Sequence, residues 1–114
     1  MTINILGTPY TVEICKPGQD PKLANCDGYT DWTAHKIAII DPPTDVDSVT
    51  DIEAYKRKVM RHEIVHAFFF ESGLLANTNQ SKDGGGAYDE QIVDWIAYQG
   101  EKIYKAWVEA GCNG

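Results

Sequence analysis

The chain has 114 residues, 43% hydrophobic and 24% charged, which excludes a disordered segment and allows one compact domain without a separate substrate domain. Ten lysines and arginines stand against seventeen aspartates and glutamates, a net charge of −7 with no basic stripe, so no nucleic-acid partner is expected. No apolar run reaches membrane-spanning length, and residues 1–7 lack a basic region leading into an apolar stretch, so we expect no membrane partner and a cytoplasmic monomer. Cys15, Cys26 and Cys112 are odd in number and lack Cys-x-x-Cys spacing, which predicts reduced thiols, two of them buried.

In chain order, residues 3–6 and 10–15 are β-prone, and Gly7-Thr8-Pro9 between them predicts a hairpin connection. Residues 16–35 carry Pro17-Gly18, Asp20-Pro21, Asn25 and Asp27-Gly28, a density of turn signals that predicts loop or a short irregular strand. Lys36 to Asp41 is the next strand, ended by Pro42-Pro43. Thr50-x-x-Glu53 forms a capping box that starts a helix near Asp51. From there Ile52, Tyr55, Val59, His62, His66 and Phe69 or Phe70 recur at steps of three and four, predicting one stripe toward the core with both histidines in it.

The run Phe68-Phe69-Phe70 continues the expected buried face, and Gly73 supplies the stop. Residues 77–86 are polar and end in three glycines, a surface-loop composition. A second helix is predicted from Tyr88 or Asp89 to about Ala110, with Ile92, Trp95, Ile96, Ile103, Trp107 and, at its margin, Val108 on its apolar face. Gly100 weakens it by roughly 1 kcal/mol relative to alanine and allows a bend or close packing on the sheet. These elements give a single α+β domain over residues 1–114, an antiparallel or mixed sheet of about three strands packed on two long helices.

His62-Glu63-Ile64-Val65-His66 carries the chemistry. On a helix, positions i and i+4 share a face, so both imidazoles can hold one Zn²⁺. Glu63 lies about 100° further round, placed to take a proton from a zinc-bound water without being a ligand.

A catalytic zinc has three protein ligands and an open position, so one more group is needed. His35, Glu71, Asp83, Asp89, Glu90, Asp94 and the cysteines are candidates by chemistry. Glu71 stands two to three turns beyond His62, out of reach of the same metal. Glu90 and Asp94 project from one face of the second helix at i and i+4, which suits Glu90 as the carboxylate ligand. Asp94 is then placed to accept the free ring N–H of a ligating histidine and fix its tautomer. Their plain alternative is a pair of exposed carboxylates on a polar helix face.

A helix carrying His62-Glu63-x-x-His66, followed 24 residues after His66 by Glu90-x-x-x-Asp94, resembles the gluzincins, zinc metallopeptidases whose third ligand is a glutamate on a downstream helix. The wording Arg61 to Phe68, Glu71-Ser72-Gly73 and Val93 to Ala97 is similar to minimal zincin-like metallopeptidases of bacteriophages and bacteria, over roughly residues 36–100. The resemblance implies a small zincin-like domain with Zn²⁺ on His62, His66 and Glu90 and with Glu63 as general base and acid. It also implies a peptide or protein substrate laid along a sheet edge. Larger gluzincins often have asparagine before the ligand glutamate, where Asp89 stands here.

His35, Tyr29 and Tyr88 are conceivable donors to a tetrahedral oxyanion, though each alone reads as a packing or surface residue. Cys112 invites a latency model, its thiolate filling the open zinc position, against the plainer reading of an incidental thiol on a frayed terminus. The rival to catalysis is a non-catalytic zinc-stabilised interaction module, in which the metal merely ties helices together.

Overall fold

The computed structural model describes residues 1–41, 49–74 and 86–114; in the last segment, side chains are described at 92, 95, 96 and 98–114. The predicted strand stop at Pro42-Pro43 and the predicted loop over 77–85 lie outside the described residues.

The first two strands, β1 (Thr2–Ile5) and β2 (Thr8–Cys15), form a hairpin whose register pairs Ile5 with Thr8. Its turn is therefore Leu6-Gly7, with φ of 52° and 94°, the positive values that a two-residue hairpin turn matching strand twist demands. This corrects the expected Gly7-Thr8-Pro9 connection. Pro9 is tolerated inside β2 because it pairs with Asn4 one step from the turn, where a strand nitrogen points away from β1. The neighbour on that other side begins only opposite Thr11.

The turn-dense stretch also holds structure that composition obscures. A 3₁₀ turn spans Pro21–Leu23, capped by Asp20, and β3 covers Gly28–Asp31. With β4 (Lys36–Ile40) the sheet has four strands in the order β1-β2-β4-β3, one more than expected, and it is mixed: β2 and β4 run parallel, the other pairs antiparallel. Central β4 is buried on both faces, which accounts for its unbroken apolar run. Ile37 and Ile39 join the main core, while Ala38 and Ile40 join Cys15 and Leu23 beneath the 3₁₀ turn.

Helix α1 (Ile52–Glu71) begins one residue later than the capping box implies, since Asp51 is the N-cap and its carboxylate accepts from the Ala54 N–H at 3.0 Å. It ends at Gly73, whose φ of 80° supplies the left-handed position after the cap. Helix α2 (Gly86–Ala110) starts two to three residues earlier than predicted. Its end is a Schellman motif: Gly111 N–H donates to Val108 O at 3.0 Å, and Cys112 N–H donates to Trp107 O at 3.0 Å. That reversal turns Cys112 back into the core. Among the described residues no helix is long and apolar enough to cross a membrane.

The main core joins Ile3, Ile5, Tyr10 and Val12 of the hairpin to Met60, Ile64, Ala67 and Phe68 of α1 and Ile103 and Ala106 of α2. At its edge, Glu71 clamps the end of α1 to β2, accepting from Thr8 Oγ1 at 3.0 Å and from Tyr10 Oη at 2.7 Å. Burial and this carboxylate together push the Tyr10 phenol well above its ordinary range.

Two glycines have opposite meanings. A Cβ on Gly28 would stand 2.9 Å from Val59 Cγ1, 3.2 Å from Glu63 Cγ and 3.3 Å from Ala38 O, so β3 lies directly on α1 because residue 28 has no side chain. A Cβ on Gly100 would meet nothing within 4 Å, so close packing on the sheet is not its role. In urea denaturation, Gly28→Ala is expected to cost about 1–3 kcal/mol through overpacking. Gly100→Ala is expected to gain about 1 kcal/mol from helix propensity; equal effects at the two sites would contradict this description.

Candidate metal centre

Within α1 the buried face runs through Val59, Met60, Glu63, Ile64, Ala67 and Phe68. His62 and His66 lie on its flank, His62 exposed and His66 half-buried, which corrects the expectation that the histidines face the core. The reason is angular. At about 100° per residue, His66 and His62 lie about 20° and about 60° round the helix beyond Val59, the outermost residue of the buried face on that side. A flank position leaves the imidazoles open to solvent.

The ring nitrogens His62 Nε2 and His66 Nε2 stand 3.1 Å apart, with ring centroids 4.7 Å apart and planes at 72°. Two nitrogens each about 2.0–2.1 Å from a tetrahedral zinc are separated by roughly 3.3–3.4 Å, so this pair needs only a small opening to share one ion. The two nitrogens lie within hydrogen-bond distance of each other, and neutral imidazole is a good zinc ligand. The two imidazoles therefore fit as two ligands of one zinc ion.

Glu63 is the one charged side chain that is buried among the described residues, at 7% exposure. It faces β3, where the Thr30 hydroxyl lies 2.9 Å from Glu63 Oε1 and 2.8 Å from Glu63 O. Burying a carboxylate opposes folding unless it is bonded, and a single neutral hydroxyl is a modest partner. Thr30 carries no motif that sequence reasoning singles out. Its only advance signal is the alternation Gly28-Tyr29-Thr30, with small residues on the helix side.

Aromatic side chains line both flanks. Phe70 stacks on Trp32 of the β3–β4 turn at 5.9 Å and 25°. Phe69 packs edge-on against His66 at 6.1 Å and against Trp95 at 5.0 Å, linking the histidines to α2 one residue after Asp94. Trp95 Nε1 donates to Ser72 Oγ at 2.9 Å, fixing α2 to the end of α1. Of the three consecutive phenylalanines only Phe68 is core; Phe69 and Phe70 are half-buried walls of the site, contrary to expectation. Beside them an apolar groove of about 250 Å³ runs between Val65 and Phe69 of α1 and Ile92, Trp95, Ile96 and Trp107 of α2.

Among the described residues no third His, Cys, Asp or Glu converges on the two histidines. Glu90 and Asp94 fall within α2, and their side chains lie outside the described residues, as do Asp83 and the side chains of Asp89 and Tyr88. Glu71 is engaged by Thr8 and Tyr10, away from the histidines, as its helical distance predicts. His35 sits in the β3–β4 turn with φ of 51° and its ring 5.3 Å from that of Tyr10. Tyr29 points to the other face of the sheet, donating to Asp20 Oδ2 at 2.5 Å and holding that carboxyl below its ordinary range. It is thereby removed from the oxyanion candidates. Searches against protein-family models, curated proteins and solved structures found no match for this chain.

Cys112 is neither a frayed residue nor a tail thiolate. It is 1% exposed, its thiol donates to Trp107 O at 3.6 Å, and burial pushes its pKa up. Arg61, next to His62, donates to Cys112 O at 2.9 Å and to Gly114 O at 3.1 Å, holding residues 112–114 against α1. Cys15 is also buried, with its pKa raised by desolvation, whereas Cys26 is partly exposed and donates to Lys22 O at 3.3 Å. Raised pKa values leave less reactive thiolate at pH 8. In native protein at that pH, a thiol reagent followed by peptide mass mapping is expected to label Cys26 at least about tenfold faster than Cys15 or Cys112. Faster labelling of Cys112 would restore the latency model.

Proposed function

We propose that this chain is a zinc-dependent metallopeptidase of a zincin-like, gluzincin type, with zinc on His62, His66 and Glu90 and with Glu63 as general base. The observation that carries the reading is the pairing of two flank imidazoles, Nε2 to Nε2 at 3.1 Å, with a buried carboxylate on the adjoining position. When bound, zinc supplies a water acidified toward a pKa of about 7 and polarises the scissile carbonyl. With zinc held there, Glu63 would serve as the base for the attacking water and as the acid toward the departing nitrogen, and Asp94 would accept the remaining ring N–H of a ligand histidine and so set its tautomer.

The peptide belongs on the outer edge of β3. Ile40 N–H donates to Asp27 O at 2.9 Å, which makes Asp27 and Ile40 a hydrogen-bonded antiparallel pair. Pairs of this kind alternate, so the backbone groups of Gly28 and Thr30 point away from β4. Among the described residues no strand pairs with that edge. An extended peptide added there runs past α1 between Trp32 and Trp95, and the aromatic flanks favour apolar side chains near the cut bond.

A zinc-stabilised interaction module is the competing reading, and it gives no role to a carboxylate buried beside an open position. With metal analysis and fluorogenic peptide libraries as readouts, the wild type is expected to hold one zinc and cleave. Glu63→Gln is expected to keep the zinc and lose about 10²–10⁴-fold in kcat. His62→Ala is expected to lose the zinc. A wild type that binds zinc and cleaves nothing would favour the module.

A further inference from the structure

Thr30 occupies two roles at once in β3. Its backbone N–H and C=O point to the open edge of the sheet, and its side chain faces inward to Glu63. The hydroxyl lies within hydrogen-bond distance of two acceptors on one residue, Glu63 Oε1 at 2.9 Å and Glu63 O at 2.8 Å. It has one proton to give. The hydroxyl is shared between the carbonyl, which also accepts along the helix, and Oε1 of the carboxylate, and Oε2 is the oxygen that Thr30 leaves disengaged.

We propose that Thr30 is a positioning residue for Glu63: its hydroxyl holds the carboxylate through Oε1 and presents Oε2 to the cleft, so the strand that receives the peptide also aims the base. For its kinetic consequence this inference rests on the peptidase reading; for its structural consequence it does not. Three local features enforce the arrangement. Gly28 lets β3 come within contact of Val59 and Glu63. The β3–β4 register then places Thr30, two residues on, over the same face of α1. Trp32 stacked on Phe70 fixes the far end of the strand.

A valine in this place would fill the space and offer Glu63 no hydrogen bond.

The test compares Thr30→Ser, which keeps the hydroxyl, with Thr30→Val, which removes it at nearly constant shape. In crystal structures of the full chain grown with zinc, wild type and Thr30→Ser are expected to show Glu63 in one conformer bonded through Oε1. In Thr30→Val the carboxylate is expected to be displaced by more than about 1 Å or split between rotamers. With a fluorogenic peptide, Thr30→Val is expected to lose about tenfold to hundredfold in kcat at unchanged KM and zinc content. Thr30→Ser is expected to stay within about threefold of wild type. Should Thr30→Val fold poorly, Thr30→Ala removes the same hydroxyl without added bulk and is read the same way. An unmoved Glu63 in the hydroxyl-free variants, or wild-type kcat in them, overturns the proposal. If the wild type cleaves nothing, the peptidase reading fails, and the position of Glu63 in the variants still decides the role of Thr30.

Discussion

The contact between the edge strand β3 and helix α1 is the constraint on which the candidate site depends. A strand can lie this close to a helix only where side chains are small, and Gly28 provides that at the point where a Cβ would stand 2.9 Å from Val59. The close approach buries Glu63 and brings the Thr30 hydroxyl onto it. It also leaves His62 and His66 on the flank of α1, beside the strand instead of beneath it. Were β3 a further few ångströms away, the carboxylate would be solvated and the histidines would sit on a convex surface.

The rest of the fold holds α1 still from its other sides. Glu71 clamps its last turn to β2, Trp95 bonds Ser72 just past its end, and Arg61 gathers residues 112–114 along its length. Each tie comes from a different element. A domain of 114 residues has little core to spend on rigidity, so polar ties around one helix are an economical way to fix the positions of its side chains. The same geometry leaves His62 exposed and His66 half-buried, with Phe69 and Trp95 packed beside them.

Much of this was legible in the sequence where periodicity and chemistry spoke together. The strands of the hairpin, β4, both helices and the Gly73 stop follow from alternation, a continuous apolar run, three-four spacing and a left-handed cap. β3 was legible only as a short irregular strand or loop somewhere in residues 16–35, because Asp27-Gly28 carries a turn signature, while Gly28 in fact serves a close approach that only the tertiary partner reveals. The facing of the histidines was misread for a related reason. Spacing groups residues into a stripe without saying which edge of the stripe meets the sheet, and the centre proved to be Ile64 and Ala67. Cys112 looked terminal and loose because a Schellman reversal at Gly111 is a local event with a tertiary outcome. Thr30 could not have been found from its own residue type, since its meaning comes entirely from what lies across from it.

The central claim is that His62 and His66 share one catalytic zinc with a carboxylate from α2. Anomalous diffraction at the zinc edge, from crystals of the full chain grown with zinc, tests it most directly. One zinc is expected about 2.0–2.1 Å from both Nε2 atoms, with a Glu90 oxygen at about 2.0–2.2 Å and a remaining position open to solvent. A zinc bound elsewhere, a Glu90 remote from the ion, or a fourth protein ligand closing the site would contradict it.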